Sequence, residues 1–123
     1  MARNRRDAAE DRRRAYRAPF VAAVKQRRNG EVALAQCQNL CETGMELRRP
    51  ADEIPLAGSF MSLVFELPDG ESMVEARCAV VFEQPQGSFQ RTGIRFVEIS
   101  RRDRRRIARF VKKSQQAHDR RSV

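Results

Sequence analysis

The chain has one histidine, His118, near its C-terminus. General acid/base work or a nucleophilic triad needs a histidine or a paired carboxylate beside a serine or cysteine. Here the acids are scattered over what read as strand ends and turns, so an enzyme is not the expectation and a binding protein is. Cysteine is scarce as well: Cys37, Cys41 and Cys78 are odd in number and lack CxxC spacing. Structural zinc takes four ligands in close pairs, so no metal is expected; the apolar neighbours of each cysteine point instead to buried free thiols in a reducing cytoplasm. No apolar run reaches membrane-spanning length and no signal-type apolar stretch follows the charged start. A cytoplasmic protein with no membrane partner is expected.

What the chain does have is positive charge. Its 123 residues carry 25 Lys and Arg against 16 Asp and Glu, for a net charge of +9. The excess is at the ends: residues 1–17 hold seven arginines against three acids, and residues 101–123 hold ten cations against two. The body between them is slightly acidic. Such a balance suits an anionic partner (nucleic acid, nucleotide, phosphate or lipid headgroup) without choosing among them. With 41% hydrophobic residues, the chain is too apolar to be wholly disordered and is long enough for one modest core.

Periodicity places the elements. Runs FVAAVKQ and EVALAQCQ flank Asn29-Gly30, a pair that supplies the positive φ angles of a tight hairpin turn. In the second run Val32, Leu34 and, more weakly, Cys37 read as inward-facing. GMELRR follows from Gly44 to Pro50, then SFMSLVFEL over 59–67, a Pro68-Asp69-Gly70 turn, and SMVEARCAVVFEQ alternating around Val74, Ala76, Cys78 and Val80. After Gln86-Gly87, SFQRTGIRFVEI offers Phe89, Ile94 and Phe96 to the core. Five or six short strands in series predict an all-β antiparallel barrel or sandwich. Beyond Ser100 the period changes: Asp103 follows three residues after this capping serine, and Ile107, Phe110 and Val111 share one helical face. A helix over about 101–114 is predicted, followed by a disordered tail over 116–123.

Two stretches carry chemistry. DRRRAYRAPF brings Arg12, Arg13, Arg14 and Arg17 up against the first strand. A terminal charge run is usually a solvated arm, but this one uses arginine alone and contains Tyr16 and Pro19. Arginine's planar fork grips phosphate through two hydrogen bonds, takes the O6 and N7 edge of guanine in the same way, and stacks on bases. The second stretch, NLCETG over 39–44, describes a tight turn in which Asn39 can both donate to and accept from a base edge. At Gly44 there is no Cβ to obstruct the backbone.

In this order and spacing the two stretches resemble the PilZ domain, a bacterial receptor for cyclic di-GMP. Its pattern is RxxxR in an N-terminal arm, then (D/N)xSxxG roughly 20 to 30 residues later. Arg13 and Arg17 match the first motif; Asn39, Cys41 and Gly44 match the second, with cysteine at the usual serine. The resemblance runs on through GMELRRP, LVFELPDG, ARCAVVF, TGIRFVEIS and the closing helix, over about residues 11–115. It implies a six-stranded antiparallel β-barrel over 18–115 with a C-terminal helix, preceded by a flexible arm over 1–17 that folds over the barrel when ligand binds. By the same resemblance Arg13 and Arg17 grip phosphate and the guanine edge, Asn39 reads a guanine, and Gly44 admits the ligand to the backbone. Arg12, the basic residue before RxxxR, is associated in the family with an intercalated pair of ligand molecules, and Arg14 adds a further contact. Cys41 is the departure: a thiol is a weaker and longer donor than a hydroxyl, and loss of one such bond costs about 1 to 2 kcal/mol.

The implied role is a receptor that does no chemistry and signals to an unidentified partner protein. Two rivals stand beside it. One is a degenerate PilZ barrel kept as a protein-interaction module without nucleotide binding. The other, ranked third, is nucleic-acid binding along the basic helix, which predicts a steep salt dependence.

Overall fold

The computed structural model describes residues 16–51 and 58–121. Six strands run β1 (Ala18–Arg28), β2 (Glu31–Cys41), β3 (Gly44–Pro50), β4 (Phe60–Phe65), β5 (Val74–Gln86) and β6 (Phe89–Ile99), followed by helix α1 (Arg101–Arg121). All pairings are antiparallel and the sheet closes on itself in the order β1-β2-β3-β6-β5-β4. Closure pairs residues 25–27 of β1 with residues 62–64 of β4, which brings together two strands that would otherwise form the sheet's edges. The predicted barrel is therefore the observed fold.

Local chemistry sets the hairpins. Asn29 and Gly30 have φ of 51° and 81°, the paired positive values of a two-residue turn matched to strand twist. Along β5 the predicted alternation holds, with Val74, Ala76, Cys78 and Val80 all buried. Three cysteines are buried and free. Removal from water pushes the Cys37 and Cys78 thiols up to about 12, so both stay protonated at neutral pH.

Three inward assignments are corrected. Val32 and Leu34 are exposed, at 53% and 66%, whereas Cys37 is buried as expected and Ala35 beside it, not predicted, also fills the interior from β2. EVALAQCQ is apolar on both parities, so its own alternation does not fix the phase. The hairpin register, Lys25 against Leu34 and Arg27 against Val32, puts Val32 and Leu34 on the outer face with those cations. Phe89 is also an outer residue, its ring lying under the Arg48 guanidinium at 3.7 Å. Ile94 and Phe96 are buried as predicted.

Helix α1 caps the barrel. Ser100 Oγ accepts from the Asp103 amide at 3.0 Å, the side-chain cap that an orphan first-turn N–H requires. Ile107 and Val111 are buried, and Phe110 packs edge-on to Phe20 at 5.2 Å, which meets Phe65 in turn. Burying side chains of this size contributes roughly 1.5–3 kcal/mol each. The helix does not end near 114 but continues to Arg121, so most of the expected disordered tail over 116–123 is helical. No glycine or proline interrupts it, Tyr16 rests on Ser114 and His118, and the last-turn cations complement the helix dipole. Among the described residues no helix is long and apolar enough to cross a membrane.

Candidate functional site

The site begins with an irregularity in β2. Cys37 faces Leu47 across the β2–β3 ladder, but Asn39 faces Glu46, so one extra residue is inserted between them. Ala35 and Cys37 point inward before this bulge and Leu40 points inward after it. A bulge re-aims side chains in this way; without it Asn39, at the parity of Cys37, would face the core. The Cys37 thiol donates to the Asn39 carbonyl at 3.3 Å and so supplies a partner at the irregular position.

Turned outward, Asn39 is held from two sides. Its Nδ2 donates to Glu46 Oε2 at 2.6 Å, and its Oδ1 accepts from Arg17 Nη1 at 3.0 Å. Arg17 lies one residue before β1, beside the Pro19–Asn39 pairing. Glu46 is nearly buried and is also ion-paired with Arg91 Nε. The row extends by register from Asn39 through Glu46 and Gly93 to Phe82. A Cβ at Gly93 would overlap the Phe82 ring, so this glycine is what lets the ring lie flat on β6, with Arg91 on its face at 5.3 Å.

The remaining motif residues close the β2–β3 turn. Cys41 pairs with Gly44; its Sγ lies 3.4 Å from Thr43 Oγ1 and the residue is 4% exposed. The Thr43 carbonyl accepts from the Phe96 amide at 2.8 Å, fastening the turn to β6. A Cβ on Gly44 would run into the Ile94 carbonyl. The glycine therefore has a packing cause on β6, separate from any approach of a ligand. Arg12, Arg13 and Arg14 lie outside the described residues, as does most of the expected flexible arm.

Two groups escaped the sequence reading. Glu46 and Arg91 complete the polar row; the sole sequence signal is an acid set between the apolar Met45 and Leu47 directly after the motif. The other is Arg106, one of the run of helix arginines and yet only 1% exposed. Its Nε and Nη2 reach both oxygens of Asp69 at 2.8 and 2.9 Å, its Nη1 reaches Asp103 at 2.8 Å, and Glu71 stands 3.2 Å from its Nε. The fork on Asp69 holds that carboxyl well below its ordinary range, and the same bonds raise the guanidinium further. The cluster pins the start of α1 to the β4–β5 turn. Among the described residues, no group of three His, Cys, Asp or Glu side chains is placed to hold a metal.

A closed six-stranded barrel capped by a helix, with an arginine at the entry to β1 donating to an asparagine near the end of β2, defines a small β-barrel domain. The family model for the PilZ domain matches residues 11–113, and the chain belongs to that family. No curated protein sequence matches it. Among solved structures it is similar to the Bacillus subtilis inhibitor of motility MotI/DgrA, with a TM-score of 0.75 and 16% identity over 95% of this chain and 53% of that one. It is similar to the PilZ domain of Escherichia coli YcgR with c-di-GMP (TM-score 0.65, 12% identity, 90% of this chain and 97% of that one). A third likeness is to the K. pneumonia MrkH–c-di-GMP complex (TM-score 0.66, 17% identity, 98% of this chain and 56% of that one). The chain thus spans about half the length of MotI and MrkH.

Proposed function

We propose that this protein binds cyclic di-GMP and passes the binding event to a partner protein, without catalysing a reaction. The observation that carries the reading is the meeting of Arg17 and Asn39: one residue from each motif, 22 positions apart, joined at 3.0 Å on the outer surface of the barrel. The family membership and the two neighbours solved with this nucleotide support the choice of ligand.

The chemistry follows from what each group can offer. Guanine presents donors at N1 and N2 and acceptors at O6 and N7. Asn39 Oδ1 accepts from the first edge, and the Arg17 fork takes the second edge or a phosphate. Binding is then an exchange: the ligand replaces Arg17 on Asn39 Oδ1, and Arg17 turns onto the ligand. Arg13 supplies a second fork, with Arg12 and Arg14 beside it, and Arg12 favours an intercalated ligand pair. Cys41 and Gly44 shape the turn beneath.

The exchange has a route to the rest of the molecule. Tyr16, adjacent to Arg17, reaches Ser114 Oγ at 3.1 Å and lies 5.9 Å from the His118 ring. Movement of Arg17 therefore pulls on the outer half of α1 and changes the surface shown to a partner. A cytoplasmic location fits this role and the three buried free thiols.

Calorimetric titration with cyclic di-GMP at moderate salt tests the reading. Heat and a raised melting temperature are expected; neither at about 100 µM ligand, the weak end for a signalling receptor, rejects it. That outcome would favour the rival suggested by Cys41, a barrel retained for protein contacts alone.

A further inference from the structure

Asn39 can be placed two ways round, and its neighbours decide which. The Glu46 carboxylate, ion-paired with Arg91, accepts; the Arg17 guanidinium can only donate. With Nδ2 at 2.6 Å from Glu46 and Oδ1 at 3.0 Å from Arg17, both neighbours demand the same orientation, so the amide assignment is fixed by chemistry. Of the two, only Glu46 stays when a ligand takes the place of Arg17. It is nearly buried on β3 between Met45 and Leu47, which fill the core, and Arg91 covers its other oxygen.

We infer that Glu46 is a specificity-setting positioning residue: it keeps Asn39 Oδ1 turned outward as an acceptor, which selects a base edge that donates, and it makes an amide necessary at position 39. The inference rests on the cyclic di-GMP reading and deepens it. Guanine meets an outward acceptor with two adjacent donors, N1 and N2, whereas adenine offers its N6 amino group alone, beside an N1 that is itself an acceptor. The second consequence concerns the motif. The family pattern admits aspartate or asparagine at this position, but an aspartate here would face Glu46 with two carboxylate oxygens at the distance the hydrogen bond now spans. Two carboxylates so close cannot both ionise without strong repulsion.

The test is a swap. Wild type, Asn39→Asp, Glu46→Gln and the double variant Asn39→Asp/Glu46→Gln are titrated with cyclic di-GMP and with cyclic di-AMP at about pH 7.5 and about pH 5.5, and each is melted without ligand. Wild type is expected to prefer the guanine nucleotide with little change between the two pH values. Asn39→Asp is expected to bind about ten-fold or more weakly at the higher pH and to recover at the lower, where the two acids share a proton. The double variant restores affinity to within about three-fold at both, because the new amide donates to the new carboxylate. A merely structural role would not produce that pH profile.

Asn39→Asp binding as wild type at the higher pH, or a double variant no better than the single, overturns the role of Glu46. Failure of wild type to bind overturns the receptor reading and this inference with it, so the two failures are told apart by the first titration. Should Asn39→Asp melt too low to titrate, a wild-type melting temperature in the double variant supports the pairing and its absence refutes it.

Discussion

Arg17 Nη1 donates to Asn39 Oδ1 at 3.0 Å, and so the two sequence motifs meet in space. The bond is exposed, and exposed pairs of this kind contribute little to stability, about 0–1 kcal/mol. Its partner bond, Asn39 to Glu46, is half-buried and shorter. One contact is thus the more easily broken while the other holds the amide in place, which suits the proposed exchange of Arg17 for a ligand.

Arg17→Ala is expected to weaken cyclic di-GMP binding by about ten- to a hundred-fold, the value of a charged fork at roughly 1.5–3 kcal/mol. The melting temperature without ligand should stay near wild type, because Arg17 is exposed at the edge of β1. Arg13→Ala should behave alike. Titration beside thermal melting checks both, and a large loss of ligand-free stability would assign these arginines to the scaffold instead.

Cys41→Ser should hold or tighten affinity, by up to about ten-fold. The hydroxyl is smaller than the thiol, and Thr43 Oγ1, 3.4 Å from Sγ, remains available to it as a partner. A marked weakening in the same titration would contradict the motif register that puts Cys41 at the serine position.

Gly44→Ala should destabilise the ligand-free protein. A Cβ there meets the Ile94 carbonyl, and this neighbour is strand backbone that cannot swing aside. Overpacking of that kind costs about 3 kcal/mol, or roughly 10 °C in Tm for a domain of this size. An unchanged melting temperature with lost binding would instead make the glycine a ligand contact.

How far the residues speak for themselves depends on the strand. β5 alternates cleanly, so its inward set of Val74, Ala76, Cys78 and Val80 is readable. β2 is apolar on both parities and carries a bulge, so Val32 and Leu34 can be placed only by the pairing with β1. The bulge itself, which turns Asn39 outward, has no glycine or proline to announce it. Motif spacing brings Arg17 and Asn39 to attention but not Glu46, whose partner is chosen by strand register. Arg106 is hidden for a related reason: among Arg104, Arg105 and Arg106 composition is uniform, and only the fold brings Asp69, 37 positions away, to one of them.

That buried cluster makes the last prediction. Asp69 is held below its ordinary carboxyl range by Arg106, so its contribution to stability is present above the unfolded value of about 3.9 and is lost as pH falls from there toward the folded one. The gap in melting temperature between wild type and Asp69→Asn should therefore be steady between about pH 7 and pH 5 and narrow below about pH 4. A gap that persists or widens in acid refutes this linkage. Removing the two sides of the cluster should also differ. Arg106→Met leaves Asp69, whose side chain is 33% exposed, free to hydrate. The double variant Asp69→Asn/Asp103→Asn instead strips two carboxylates from a guanidinium with no exposed surface, and an undercompensated buried charge is the costlier fault. Arg106→Met should accordingly melt above that double variant, and the reverse order in parallel melting curves would show that the arginine holds α1 chiefly by something other than these ion pairs.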